Sequence, residues 1–151
     1  MKKLISLIAV FVCAVAMFAD NTETKITANE LPEKAQEFLK TYFQDIKVKK
    51  ILKTVDTETY VMEYDVLLAD KTRIEFDMVG AWSEITLKNK KAVMPRFIYP
   101  NRVNETIDKQ FSDKKIVKVS NDGMEYEFDF KDGSEVTINA LGKVVELEVE
   151  K

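Results

Sequence analysis

The sequence predicts an α+β fold made of two tandem units, each a helix followed by about four antiparallel strands, with the helices on one face of the sheet. Three observations predict it. The chain matches itself without gaps in two places, the matched segments carry first a helical and then a two-residue apolar period, and turn signals separate the alternating runs.

Residues 1–19 read as a signal peptide. Met1-Lys2-Lys3 is a basic start, Leu4 to Phe18 is an apolar core, and the small Ala19 precedes the polar Asp20. The core of 15 residues is shorter than the roughly 20 that a membrane-crossing helix needs. Cys13 follows Val12 rather than a small residue and is itself followed by apolar ones, unlike the acylated cysteine of a lipoprotein. The expectation is a periplasmic or secreted mature chain, residues 20–151, with no membrane span and not a lipoprotein. Cleavage removes the only cysteine, so the core must hold the domain without a disulfide. It leaves 21 basic and 26 acidic residues, a net charge of −5. That balance argues against a nucleic-acid partner, which is held by clustered Lys and Arg.

The first internal match lays residues 31–43, LPEKAQEFLKTYF, over residues 99–111, YPNRVNETIDKQF. Pro32 meets Pro100 where a helix would start. Ala35, Leu39 and Phe43 meet Val103, Ile107 and Phe111 at helical spacing. Each segment is an amphipathic helix of about three turns, too short to stand alone in water.

The second match begins at Met62 and at Met124. It carries Met62, Glu63, Tyr64, Asp70, Gly80 and Glu84 onto Met124, Glu125, Tyr126, Asp132, Gly142 and Glu146. The offset between copies falls from 68 residues in the helices to 62 here, which gives the first copy six more residues near Thr54 to Thr59. Both blocks alternate as half-buried strands do. Tyr64, Val66 and Leu68 share a face with Ile74, Phe76 and Met78 and with Ile85 and Leu87. In the second copy Tyr126, Phe128, Phe130, Val136, Ile138, Val145, Leu147 and Val149 do the same. Asp132-Gly133 is a tight-turn signal, and Asp70-Lys71 is its weaker counterpart. Runs from about Ile46 to Val55 and from Lys115 to Ser120 complete about four strands per copy. The repeats thus span about 27–90 and 95–151, joined by MPRFIYPNR from Met94, whose Phe97 and Tyr99 are expected to pack between the copies.

If helices cover one face, alternation sends Glu63, Asp65, Glu75, Asp77 and Glu84, and then Glu125, Glu127, Asp129, Glu135, Glu146 and Glu148, to the other. Arg73 is nearly the only cation among them, whereas lysines gather at Lys47 to Lys53 and Lys88 to Lys91. Trp82 has two readings. Strict alternation sets it beside Glu84 on the acidic face, where a lone tryptophan is a natural interface anchor. A kink at Gly80 would instead turn the indole into the core, because a glycine in a strand often marks a bulge that reverses the register.

The Leu31-Pro32 helix ending in Tyr42-Phe43, the strand centred on Tyr64, and the segment from Phe76-Asp77 through Gly80-Ala81-Trp82-Ser83-Glu84-Ile85 resemble the PepSY-like family of small exported bacterial proteins, also described as β-lactamase-inhibitor-like. The resemblance covers nearly all of the mature chain. Gln44 and Ser112 depart from the proline usual after the helix-ending phenylalanine, and Asn139 and Val144 stand where the first copy has Asp77 and Trp82. The resemblance implies two helix-on-sheet units side by side and a concave open face able to grip a protein. It transfers no target and no inhibitory loop.

With no histidine, and no cysteine after processing, the Ser-His-Asp and Cys-His systems and ordinary zinc sites cannot be assembled. Alternate acids on an exposed strand lack the apolar pocket that raises one pKa for acid-base work. Asn121-Asp122-Gly123 and Lys131 to Glu135 read as turns, since neither has the ligand spacing of a calcium loop. The sequence therefore predicts no enzyme and no cofactor, but a protein- or peptide-binding module. Its expected partner face is Trp82, Glu84, Asp77, Glu75, Asp65, Glu63, Glu125 and Glu127, and its partner a protein or peptide of the cell envelope. The alternatives are an inhibitor of an envelope or extracellular hydrolase, of peptidase or β-lactamase type, and a binder of a small molecule or calcium.

Overall fold

The computed structural model describes residues 21–149. The expected signal peptide lies outside them. Nine strands form a single antiparallel sheet in which every strand pairs with its neighbours in sequence. They are β1 (Asn21–Lys25), β2 (Val48–Asp56), β3 (Met62–Leu68), β4 (Thr72–Phe76), β5 (Trp82–Leu87), β6 (Ile116–Asn121), β7 (Glu125–Phe130), β8 (Glu135–Asn139) and β9 (Val144–Glu148). Two helices interrupt this order: α1 (Glu33–Tyr42) between β1 and β2, and α2 (Asn101–Gln110) between β5 and β6. The fold is α+β, with an open sheet.

The helices start and stop for legible reasons. Pro32 and Pro100 sit at the two N-caps with φ of −52° and −54°, and extended ψ. A proline has no N–H to leave unsatisfied there, and its fixed φ suits the entry to a helix. Phe43 and Phe111 end the helices in matching geometry and donate their backbone N–H groups to Leu39 O and Ile107 O. Ala35, Leu39 and Phe43 from the first segment, and Val103, Ile107 and Phe111 from the second, join the inward residues of the strands in one buried cluster. The Phe38 ring lies edge-on to Phe76 of β4 at 5.6 Å, and Phe111 stacks on Phe130 of β7 at 5.5 Å. Burial of this kind gives short helices the stability that they lack alone.

Alternation holds through the inner strands. Tyr64, Val66 and Leu68, then Ile74 and Phe76, then Tyr126, Phe128 and Phe130, and then Val136 and Ile138 are all buried. Four bulges interrupt the registers, leaving Lys49, Ser83, Val117 and Val145 as the extra residues. Each bulge re-aims the side chains beyond it.

Several expectations are corrected here. The sheet has nine strands rather than eight, because Asn21–Lys25 adds an edge strand whose five side chains are all exposed. It pairs with β2 only through its backbone and so carries no apolar period to read. Met78 is 52% exposed, because β4 has already ended in the turn that follows Phe76. Val145 and Leu147 of β9, and Val149 just after it, are exposed as well. There the bulge at Val145 gives the core-facing place to Val144, and β9 is an edge strand packed from one side only. In the linker Tyr99 is buried against Tyr126 and Phe128, and burial pushes its phenol up to about 12. Phe97 is exposed instead, at a left-handed φ of 66°, and its carbonyl accepts the Tyr42 hydroxyl.

An open carboxylate face as candidate functional site

The pleat that buries Val66, Ile74, Ile85 and Val119 turns their neighbours to the opposite face. Across the middle of the sheet these are Asp65 of β3, Arg73 and Glu75 of β4, Glu84 of β5 and Lys118 of β6. Pairing brings them together: Asp65 lies opposite Glu75, Glu75 opposite Glu84, and Thr86 opposite Lys118. Arg73 is diagonal to Asp65. Its Nε donates to both Asp65 oxygens at 2.9 Å, while its terminal nitrogen meets Asp65 at 2.8 Å and Glu75 at 3.2 Å. The hydrogen bond to Asp65, with the charges of Asp65, Glu75 and Glu84, raises the Arg73 pKa above its ordinary value against the opposing effect of burial. Lys118 meets Glu84 at 3.1 Å. Burial works against the Lys118 charge, yet Glu84, Asp129 and Glu127 hold the ammonium above the usual lysine range.

This patch is the floor of a cleft of about 690 Å3. One wall is β1, through Asn21 and Glu23. Another is the turn between β2 and β3, where Thr59 and Val61 line the cleft. The Asp56 carboxylate organises that turn by accepting the backbone N–H groups of Glu58 and Thr59. The corresponding turn between β6 and β7 is only Asp122-Gly123-Met124, so the open face of the second half has no such wall. There the acids form a stripe. Glu127, Asp129 and Glu135 each bring a carboxylate oxygen within 4.8 Å of the others, and Asp129 Oδ1 is buried with no hydrogen-bond partner.

Glu75, Glu127, Asp129 and Glu135 all have raised pKa values, burial being the first cause and a neighbouring carboxylate adding to it. The folded chain therefore binds these protons more tightly than the unfolded one. Their contribution to stability is complete below the ordinary carboxylate range and is lost as the pH rises through the raised values. The lowered carboxyls, among them Asp56 and Asp122, titrate below that range and contribute fully above it. Between the ordinary glutamate value of 4.5 and neutrality, the Tm is accordingly expected to fall as the pH rises. Glu75→Gln is expected to flatten that slope without lowering the Tm at pH 7, since it removes the like charge facing Glu84 and leaves Arg73 paired to Asp65. Thermal melts across that window check both points.

Of the residues predicted for the face, Glu63, Asp65, Glu75 and Glu84 lie together around the cleft, and Glu125 and Glu127 follow on β7. Two do not belong there. Trp82 is only 9% exposed, and its indole lies against Phe38 of α1 and Tyr126 of β7 at ring distances of 6.3 and 6.2 Å. The cause is the bulge: Glu84 pairs with Glu75 but Trp82 pairs with Phe76, so Ser83 is the extra residue and the indole faces inward. Asp77 is the second correction. Its carboxylate accepts the N–H groups of Val79 and Ala81 and closes the turn between β4 and β5, as Asn139 does for Leu141 and Lys143 between β8 and β9. Sequence reasoning missed Lys118, although its place one residue before the inward Val119 signals its face. It also missed β1 as a wall, for which the sequence carries no signal.

Fold and face together define a class: a single open antiparallel sheet with one apolar face in a helix-containing core and one polar face exposed. The family described as "Putative beta-lactamase-inhibitor-like, PepSY-like" matches residues 62–146, and the chain belongs to it. Solved structures agree. A "putative periplasmic protein" of the DUF2874 family from Bacteroides vulgatus is 28% identical, covering 84% of this chain and 97% of its own, with a TM-score of 0.74. A second protein from Bacteroides vulgatus, a "putative periplasmic protein of unknown function", is 29% identical over 85% of this chain and 99% of its own, with a TM-score of 0.74. A "putative calcium-regulated periplasmic protein" from Bacteroides thetaiotaomicron shares the fold at 24% identity and a TM-score of 0.75, over 84% of this chain and 97% of its own. No curated protein matches the chain. Among the described residues, no helix is long and apolar enough to cross a membrane.

Proposed function

We propose that this chain is an exported, noncatalytic module that binds a protein or peptide of the cell envelope on the open face of its sheet. The observation that carries the reading is the cleft over Asp65, Arg73, Glu75, Glu84 and Lys118: charged side chains, half-buried yet uncovered, with β1 and the β2–β3 turn lining it on one side. Export rests on the basic-then-apolar leader of residues 1–19 and on the periplasmic description of the structural neighbours. The module is read as two tandem units, each a helix and four strands with its helix on the same sheet face. Supporting this, the bulges recur at Lys49 and Val117, 68 residues apart, and at Ser83 and Val145, 62 apart, the same offsets as in the sequence matches.

The test is capture from the envelope fraction of the source cells by immobilised protein, with a Glu63→Lys, Glu75→Lys variant as control. A specific protein lost with the variant is expected. Undiminished capture by the variant sinks this surface. If the captured protein is a hydrolase whose activity falls with added protein, the module is its inhibitor.

A second reading is carried by Asp129 Oδ1, buried without a partner beside Glu127 and Glu135: calcium on the second half of the face, bound by hard carboxylate oxygens. Millimolar calcium is then expected to raise the Tm, and Asp129→Asn to abolish the rise. An unmoved midpoint removes this reading.

A further inference from the structure

The cleft of the first half has a charge pattern that selects its occupant. Six carboxylates line it, from Glu23, Asp56, Glu63, Asp65, Glu75 and Glu84, against two cations, Arg73 and Lys118. Both cations are already engaged, Arg73 by Asp65 and Glu75 and Lys118 by Glu84. Asp56 is engaged by its own turn. Glu23 and Glu63 stand exposed at the walls, and Glu75 shares one guanidinium with Asp65 while facing Glu84. Leu52 and Val61 lie among these acids, a combination suited to a long aliphatic stem ending in a cation.

Glu23, Glu63 and Glu75 lie on β1, β3 and β4, so the run of these acids covers the three interstrand steps from β1 to β4, of about 4.8 Å each. An extended chain rising about 3.3 Å per residue spans that distance in roughly four to five residues and presents alternate side chains, about 6.6 Å apart, to the floor. Resting on the reading of the open face as a binding surface, we propose that the occupant of this cleft is an extended polypeptide segment with lysine or arginine at alternate positions. Its basic side chains reach Glu63, Glu75 and Glu23, and its charge offsets the excess of carboxylates. Thr54, Asp56, Thr59 and Val61 of the longer β2–β3 hairpin line the cleft, so the preference belongs to this half of the sheet.

The experiment is fluorescence anisotropy with the protein and three labelled peptides in which threonine alternates with lysine, glutamate or glutamine. The lysine peptide is expected to bind at least tenfold more tightly than the other two, and to weaken at least tenfold between low and high salt, as screened charges must. Glu23→Lys combined with Glu63→Lys alters two exposed acids outside the core that make no ion pair among the described residues. It is expected to cost at least tenfold in affinity with the Tm unchanged. Binding of the lysine peptide that ignores this variant overturns the proposal and moves the site elsewhere, and displacement by an equal concentration of lysine amide replaces the polypeptide with a small amine. If the glutamine or glutamate peptide binds as well as the lysine one and the variant alters that binding, the cationic occupant is wrong but the binding face stands. If no peptide binds, both fall.

Discussion

Trp82→Ala is expected to destabilise the domain by roughly 3–5 kcal/mol, the range for truncating a buried aromatic side chain. The indole is 9% exposed and bridges Phe38 of α1 and Tyr126 of β7. Tyr126 in turn lies against Tyr99 of the linker. One side chain thus joins the helix of the first half to the sheet of the second, at the junction where β5 pairs with β6 and Asn121 Nδ2 donates to Trp82 O at 3.2 Å. Removing it leaves a cavity among rings that cannot collapse without parting the two halves. Urea unfolding measures the loss as a lower midpoint at an unchanged slope. Because Trp82 is the only tryptophan, the fluorescence of the unmodified protein is expected to report a buried indole in the folded state and a wet one after unfolding. A loss under about 0.5 kcal/mol, the usual size for a surface position, with wet-indole emission in the folded protein, would show the bulge at Ser83 to be wrong. The same substitution is unsuited to testing binding on the open face, since it acts through the core.

The contrast between Trp82 and Phe76 indicates how far the sequence could be read. Phe76 falls on the alternation of β4 and is fully buried, as are Val66, Ile74, Phe128 and Ile138. For all of them the two-residue period is a direct consequence of the pleat. Two residues beyond an irregularity the period is no guide: one extra residue reverses the face of everything past it, and an alternation that ends at Ile85 does not reveal Ser83. Gly80 hinted at the kink but left its outcome open. The acids of the floor were legible because they lie between buried apolar residues on regular strands. The cleft was not, because its walls come from β1, with no apolar side chain among its five residues, and from a turn whose length shows in the repeat offset but whose direction does not. Asp77 was misread for a third reason: an aspartate just past a strand serves the turn's N–H groups more readily than a partner.

Gly142→Ala and Gly80→Ala are each expected to cost roughly 2–4 kcal/mol, and Gly123→Ala only about 1 kcal/mol, although all three glycines have positive φ. The conformational penalty on a Cβ is similar at φ of 82°, 83° and 91°, so the difference isolates what the Cβ would meet. At Gly142 it would lie 2.6 Å from the carbonyl oxygen of Arg102 in the first turn of α2, and at Gly80 it would lie 2.8 Å from Pro32 Cβ and 2.9 Å from Ala35 N at the start of α1. At Gly123 it meets nothing within 4 Å. Backbone atoms in a helix's first turn cannot swing aside as a side-chain tip does, so the helix must lift from the sheet. At Gly142 that also strains the buried Thr106 hydroxyl, which donates to Gly142 O at 2.6 Å. Chemical unfolding of the three variants under one set of conditions makes the comparison. Equal losses at all three would mean that φ alone sets the cost and that the turns do not hold the helices. Large losses confined to Gly80 and Gly142 would mean that one contact, a turn glycine pressed against a helix start, holds α1 to the β4–β5 turn and α2 to the β8–β9 turn.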